Sequence, residues 1–278
     1  MAAALSPNGF RTALVLGGGG PVGIAWMTGL VIGLREAGVD PARAERLVGT
    51  SAGAVVGAVL AADGDLTRLR ALPRSGASEV PVDRPRMWEI MGDLMAGGAD
   101  PVRARQRVGE LALAARAGDP ADHVARIAAL VGVPHWPHRD LVVTSVDAVS
   151  GQLRAWTRAD AASLPQALAA STSVPGVFPP IPIDGRHYID GGVRSPVNAD
   201  LAAGAEVVVV VEPLAHLFPR RDGGSGSATR ISVVPDAEAI AAFGADVFDA
   251  AALAPAYEAG VRQAAGAARR LREVWPAG

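Results

Sequence analysis

The chain has 278 residues and a formal net charge of −2; half of its residues are hydrophobic, many of them alanine, and aromatic residues make up 4%. This length can bury a sizeable core, and we expect one domain over residues 1–278. The balanced charge gives no reason to expect a nucleic-acid partner. With neither cysteine nor lysine in the sequence, disulfides, thiol catalysis, zinc–cysteine sites and lysine nucleophiles are excluded.

Nothing in the sequence predicts a targeting or membrane-spanning segment. Residues 1–8 lack a basic region followed by an apolar core, and no stretch reaches the roughly 20 apolar residues of a membrane span. We therefore expect a cytoplasmic protein whose membrane contact, if any, is peripheral. The oligomeric state stays open.

The first predicted unit is a strand, a glycine loop and a helix. Residues 12–16 are a short apolar run typical of a buried parallel strand, and residues 17–23 read Gly-Gly-Gly-Gly-Pro-Val-Gly. Residues 24–37 follow as a predicted helix that Gly38 closes. Bare glycines before a helix let backbone N–H groups converge on an anion, so this loop is a candidate anion-binding site.

A dinucleotide-binding fold is an alternative interpretation of this loop. Gly18, Gly20 and Gly23 satisfy G-x-G-x-x-G, and Asp40 lies about 20 residues downstream as that fingerprint asks. However, Asp40 precedes Pro41 directly after the helix, where no convincing second strand ends. A purely structural glycine turn is the other alternative.

The second unit centres on Gly49-Thr50-Ser51-Ala52-Gly53, a G-x-S-x-G pattern between a short strand and a small-residue helix that reaches about residue 62. In such a sharp turn the serine is strained, and glycines two before and two after let the backbone segments pass. Ser51 would project its hydroxyl near the positive end of the helix dipole. The alternative is an ordinary helix start with Ser51 as N-cap.

Residues from about 64 to 138 are predicted to be a helical insertion, with helices near 85–96, 101–117 and 120–131. The first of these carries three of the four internal methionines, and its apolar side chains suit either varied acyl chains or simple core packing. Arg103 and Arg107 lie one turn apart on the next helix, where they could attract an acidic head group or simply form a solvated face.

Strand character returns at residues 140–146 and 153–157, followed by a short helix at 163–170 that Ser163 caps. Asp190 then lies between a short apolar strand and the turn Gly191-Gly192. It is either a functional carboxylate or a simple turn residue. Strands at 206–211 and 231–234 and helices near 236–248 and 254–273 complete the chain.

Four stretches in this order resemble the patatin-like phospholipase family: the four-glycine loop, Gly-Thr-Ser-Ala-Gly, Ser-x-x-x-Pro-x-x-Phe-Pro-Pro from Ser171, and Asp190-Gly191-Gly192. The likeness spans residues 12 to about 212. It implies a three-layer α/β/α fold with a mainly parallel central sheet and a helical insertion.

The resemblance also implies a serine acyl-ester hydrolase of lipids, of the phospholipase or lysophospholipase kind, with a Ser-Asp dyad. Ser51 would be the nucleophile, Asp190 the base, and the amides of Gly18, Gly19 and Gly20 the oxyanion hole. Gly23, Gly49, Gly53, Gly191 and Gly192 would support these motifs. Serine acyl transfer supplies its own nucleophile, so no metal or organic cofactor is implied.

One position departs from the family pattern. Family members often carry a basic residue near the end of the glycine loop, and here Val22 stands at that position. The departure leaves backbone amides and the helix dipole to stabilise an oxyanion, and it bears on rate and substrate preference.

Two other functions are compatible with the sequence. A Ser51-Asp190-His216 triad of the α/β-hydrolase kind would have the right chain order, and His187 also lies near Asp190 in sequence. The chain could instead be a noncatalytic lipid-binding protein that kept the fold. Head group, chain length, positional preference and the choice between water and an alcohol as acyl acceptor are not encoded in any of these motifs.

Overall fold

A computed structural model describes residues 10–70, 100–218 and 228–275. These residues form one sheet of eight strands: β1 (Thr12–Leu16), β2 (Arg46–Thr50), β3 (Asp140–Asp147), β4 (Leu153–Trp156), β5 (Ile181–Ile183), β6 (Arg186–Asp190), β7 (Val207–Val211) and β8 (Thr229–Val233). The strand order is β5-β6-β3-β2-β1-β7-β8, and β4 pairs with β3.

The centre of the sheet is parallel and one end is antiparallel. β3, β2, β1, β7 and β8 run parallel to their neighbours in that series, whereas β4 and β6 pair with β3 in the antiparallel sense and β5 does so with β6. All residues of β1 and β2 are buried, which is why these strands read as short apolar runs with both faces covered. The predicted mainly parallel sheet is confirmed.

Helices cover both faces of the sheet. The described helices are α1 (Gly20–Glu36), α2 (Ala52–Ala61), α3 (Pro101–Ala114), α4 (Pro120–Val131), α5 (Leu164–Ser171), α6 (Ala237–Phe243) and α7 (Leu253–Leu271). α1, α2, α5 and α7 share one apolar cluster with Leu14, Leu47 and Val209 of the sheet.

The opposite face has a thinner outer layer. Residues 197–205, which include a short 3₁₀ turn, pack there against four valines of the sheet: Val15, Val48, Val142 and Val208. α3 covers the end of the same face through Val108 and Leu111, which contact Val146 and Ile189. Together with the thick helical layer, this arrangement is the three-layer α/β/α fold that the sequence predicted.

Helix boundaries differ from the sequence prediction at both ends of the chain. α1 begins at Gly20 and not at Ile24, because Pro21 occupies the first turn and Gly20, at φ 61°, turns the loop directly into the helix. The predicted helix near 236–248 ends at Phe243, where Gly244 adopts a φ of 67°. Its remaining part continues as a turn that reaches back to the glycine loop.

The regular structure in the described part of the insertion is helical. α3 and α4 confirm the helices predicted near 101–117 and 120–131, and each is capped by an aspartate before a proline. The methionine-bearing helix predicted near 85–96 lies outside the described residues. None of the helices in the described part of the chain has the length and hydropathy needed to cross a bilayer.

Candidate active site

Sheet register brings the Ser51 turn and Asp190 to the same place. Thr50, which precedes Ser51, is paired with Thr144 of β3, and the next residue of β3, Ser145, is paired with Asp190 at the end of β6. Ser51 and Asp190, which are far apart in the sequence, therefore lie close together on either side of β3.

Ser51 occupies a strained turn, as the G-x-S-x-G pattern predicted. Its φ of 53° and ψ of −118° lie in a region that residues with a side chain rarely adopt. A Cβ at Gly53 would overlap the carbonyl of Leu16, and one at Gly49 would lie 2.8 Å from the amide nitrogen of Ala54. Both glycines are thus required for strand and helix to pass this closely.

The Ser51 side chain is not a helix cap. Ser51 stands in the N-cap position of α2, yet it makes no side-chain capping bond. Its own backbone N–H donates to Oγ of Ser171 at 2.9 Å. The alternative of a simple N-cap serine is therefore wrong, and the hydroxyl remains available for other chemistry.

Asp190 is buried and faces Ser51. Only 5% of its surface is exposed, and its Oδ1 accepts the N–H of Gly192 at 2.7 Å. Burial raises the pKa of Asp190 to about 6, against the lowering effects of hydrogen bonds from the Ser51 side chain and the Gly192 amide. In mildly acidic solution, Asp190 is therefore protonated in a large fraction of the molecules. At pH values above its pKa it is a poorly solvated anion beside a serine hydroxyl.

The glycine loop lies over Ser51, but its amides are not equivalent. A Cβ built on Gly18 would be 3.6 Å from Cβ of Ser51. The Gly18 N–H already donates to the carbonyl of Pro196 at 2.8 Å, so this amide is occupied in the described conformation. Among described residues, no acceptor takes the N–H of Gly19 or Gly20, which leaves these two as the candidate oxyanion donors.

Two serines at and just after the end of α5 hold both sides of the site. Ser171 Oγ accepts the Ser51 N–H, and the Ser173 carbonyl accepts the Asp190 N–H at 3.0 Å. The Ser173 hydroxyl in turn lies 2.7 Å from the carbonyl oxygen of Pro179 and 3.0 Å from that of Ala169. In the sequence, this segment stands out only as part of a motif; its serine-rich start before a proline-rigid loop is the signal that points to a supporting role.

The dinucleotide interpretation is wrong for Asp40. Its carboxylate accepts the N–H of Ala42 and pairs with Arg35 at 2.9 Å, which lowers the pKa of Asp40 against the opposing effect of burial. It caps a 3₁₀ turn ahead of β2, whereas the fingerprint needs an acidic residue at the end of that strand.

The histidines do not complete a triad with Asp190 in the described residues. His216 is exposed, and its ring lies edge-on to Phe243 with centroids 6.2 Å apart. His187 is an exposed residue of β6. No group of three or more histidine, aspartate and glutamate side chains that could hold a metal occurs in residues 10–70, 100–218 and 228–275. On α3, Arg107 lies 3.7 Å from Glu110, in keeping with a solvated face.

The comparisons with known proteins agree with this fold. Residues 14–203 match the family model of the patatin-like phospholipases. That match covers most of the chain, and the chain belongs to this family. The membership supports a lipid acyl hydrolase as the class of enzyme.

Two solved structures are similar to the chain. VipD from Legionella pneumophila has 15% identity and a TM-score of 0.44, and the alignment covers 94% of this chain and 67% of VipD. The type III effector protein ExoU has 16% identity and a TM-score of 0.38, with 95% of this chain and 54% of ExoU covered. The chain therefore spans only part of the length of both proteins.

Proposed function

We propose that this protein hydrolyses acyl esters of lipids, with Ser51 as nucleophile and Asp190 as general base. The observation that carries the proposal is the buried Asp190 carboxyl with a raised pKa, which the side chain of a strained turn serine, Ser51, lowers in part. Ser51 Oγ attacks the ester carbonyl carbon while its proton passes to Asp190, which gives a tetrahedral intermediate. Collapse of the intermediate breaks the bond to the leaving alcohol, which takes the proton from Asp190. Water then attacks the acyl-serine while Asp190 accepts its proton; the bond between the acyl carbon and Ser51 Oγ breaks, the proton passes from Asp190 to Oγ, and the fatty acid leaves.

Burial is what makes a carboxylate useful in this role. A solvated aspartate has a pKa near 4 and is a weak base, whereas the raised pKa of about 6 brings Asp190 closer to neutral pH. The anion that remains at pH 7 has little water around it and gains by taking the Ser51 proton. This supports a dyad that works without an imidazole.

Stabilisation of the oxyanion is assigned to the backbone. Gly19 and Gly20 supply N–H groups at the start of α1, and Ser51 stands at the start of α2, so the positive ends of two helix dipoles are assigned to the oxyanion. The buried Val22 follows this loop and brings no charge. Because Gly18 is engaged with Pro196, we omit it from the proposed oxyanion hole.

Labelling with a fluorophosphonate tests the nucleophile. We expect the intact protein to be labelled and to hydrolyse p-nitrophenyl esters, and Ser51→Ala to lose the label and at least about a thousandfold in kcat. Ser163→Ala, which changes an exposed serine away from the site, should keep both. Labelling that persists in Ser51→Ala, or an unlabelled and inactive wild type, would contradict the proposal and favour a noncatalytic lipid-binding protein.

The same assay separates the dyad from the triad. His216→Ala should stay within about threefold of wild-type kcat, because no contact joins His216 to Asp190 among the described residues; collapse of the rate would favour the triad.

A substrate panel tests the lipid class. Activity should rise with acyl chain length and extend to phospholipids or lysophospholipids presented in vesicles, where the peripheral membrane contact would be made. Activity confined to short soluble esters would argue against a lipid substrate.

A further inference from the structure

Asn198 is a buried polar residue that the mechanism above does not use. Its side chain is fully buried, on the thin layer of the sheet just before the 3₁₀ turn Ala199–Ala202. Its backbone is left-handed, with φ 49° and ψ 42°, a conformation that asparagine tolerates better than most residues. A fully buried amide needs partners for its donors and its acceptor.

The partners of this amide belong to both halves of the site. Asn198 Nδ2 lies 3.0 Å from Thr50 Oγ1 and 3.2 Å from the carbonyl of Gly191. Thr50 directly precedes Ser51, and Gly191 directly follows Asp190. One side-chain nitrogen therefore touches the neighbour of the nucleophile and the neighbour of the base.

Further bonds fix the orientation of the amide. Nδ2 also donates to the carbonyl of Ser195 at 2.8 Å and lies 3.4 Å from Oγ1 of Thr144, which is itself 2.8 Å from Thr50 Oγ1. On the other side, Oδ1 accepts from Arg194 Nη1 at 2.7 Å. The same guanidinium holds Asp200 through two hydrogen bonds. Rotation of the amide would break bonds on both sides, so its position is well defined.

We infer that Asn198 is a positioning residue that sets the Ser51 turn against the Asp190 turn, so that hydroxyl and carboxyl stay within hydrogen-bonding distance. The inference rests on the proposed function. Ser171 Oγ accepts the Ser51 N–H and the Ser173 carbonyl accepts the Asp190 N–H, and neither of these bonds involves Asn198. Asn198 is the side-chain link: its loss leaves both turns in place but lets them shift relative to each other. A shift of about 1 Å at reacting groups can cost about a hundredfold in rate.

The test compares Asn198→Gly with Asp184→Gly. Both variants replace a left-handed residue by glycine, which accepts that backbone conformation, and Asp184 is an exposed turn residue between β5 and β6. With a short p-nitrophenyl ester we expect Asn198→Gly to lose about 10- to 100-fold in kcat, with KM nearly unchanged. Asp184→Gly should keep wild-type kcat. A merely structural role for Asn198 would lower the melting temperature and leave kcat per folded molecule unchanged.

Amide hydrogen exchange gives a readout that does not need activity. In Asn198→Gly the segments 49–53 and 190–193 should lose protection together, whereas in Asp184→Gly both should exchange as in wild type. Wild-type exchange in both segments of Asn198→Gly, or a kcat within about threefold of wild type in an active enzyme, would overturn the inference. An inactive wild type with coupled loss of protection would instead count against the proposed function and leave the positioning role standing.

A second variant covers failure of Asn198→Gly to fold. Arg194→Ala removes the donor to Oδ1 from the partly exposed side of the network. It should lower kcat in the same direction by a smaller factor and loosen the same two segments. Wild-type kcat and exchange in Arg194→Ala would then overturn the positioning role.

Discussion

The proposed role of Asp190 requires a carboxyl group that is buried and that also ionises, and burial opposes ionisation. A buried carboxylate is costly to ionise, and that cost raises its pKa to about 6. The same cost makes the anion a stronger base toward Ser51 than a solvated aspartate. The Gly192 amide at 2.7 Å limits the cost, so the residue can still ionise near neutral pH.

The pH dependence of hydrolysis follows from this carboxyl group. Asp190 must be deprotonated to accept the Ser51 proton, so kcat/KM for a neutral ester should rise as pH increases through about 6 and level off above it. The measurement is p-nitrophenol release at its isosbestic wavelength from pH 4 to 8. An acid limb centred near pH 4, the value of a solvated aspartate, would contradict the assigned environment.

At the scale of single elements, a buried histidine joins α4 to the segment that follows α5, residues 172–180. The His123 ring stacks on Phe178 with centroids 4.3 Å apart, and its Nε2 lies 3.1 Å from Oγ1 of Thr172, the residue after Ser171. Burial, reinforced by the nearby Arg126, lowers the pKa of His123 to about 4. The insertion therefore contacts the segment that holds Ser51 through a neutral imidazole.

This histidine should make the protein less stable in acid. Because the folded-state pKa of about 4 is below the ordinary value of 6.5, the unfolded chain takes up a proton first, and stability is lost as pH falls from about 6.5 toward 4. Urea unfolding at pH 7.5 and 5 should show a smaller acid loss for His123→Gln than for wild type. The matched change of exposed His135, His135→Gln, should leave the loss unchanged. Equal losses in wild type and His123→Gln would contradict the buried neutral state.

The strands, and the motifs that contain Ser51 and Asp190, were easier to predict from the sequence than the tertiary contacts that support these two residues. Apolar runs such as residues 12–16 and the glycine patterns around Ser51 and Asp190 are local signals, so the strands follow from residue patterns and the motifs from the resemblance to a known family. The bond from Asn198 to Thr50 joins residues with no shared pattern, and the engagement of Gly18 by Pro196 depends on a loop that only the fold brings near. Tertiary contacts of this kind leave no periodicity in a single sequence.

At the scale of the whole molecule, α7 belongs to the same core as the residues of the family match. Gly260 of α7 lies directly against the backbone of Trp26 in α1, and the Trp26 indole donates to Gln263 at 2.8 Å. α1 begins at the glycine loop, so α7 packs against and stabilises the helix that carries the proposed oxyanion donors.

This packing predicts one cooperative unfolding transition, as expected for the single domain inferred from the sequence. Tryptophan fluorescence and far-ultraviolet circular dichroism should give the same urea midpoint, because Trp26, Trp156 and Trp275 are buried in one apolar cluster. Two separated midpoints would indicate that the helical insertion or the tail unfolds independently.

The position of β1 in the sheet sets a limit on how far the chain can be shortened. β7 pairs along the whole of β1, and the carbonyl of Val211 accepts the N–H of Gly17. A protein that stopped at residue 203 would keep Ser51, Asp190, Asn198 and the four motif stretches, yet β1 would become an open, apolar edge strand able to pair with another molecule. Such a shortened chain should sediment as aggregates and bind no fluorophosphonate.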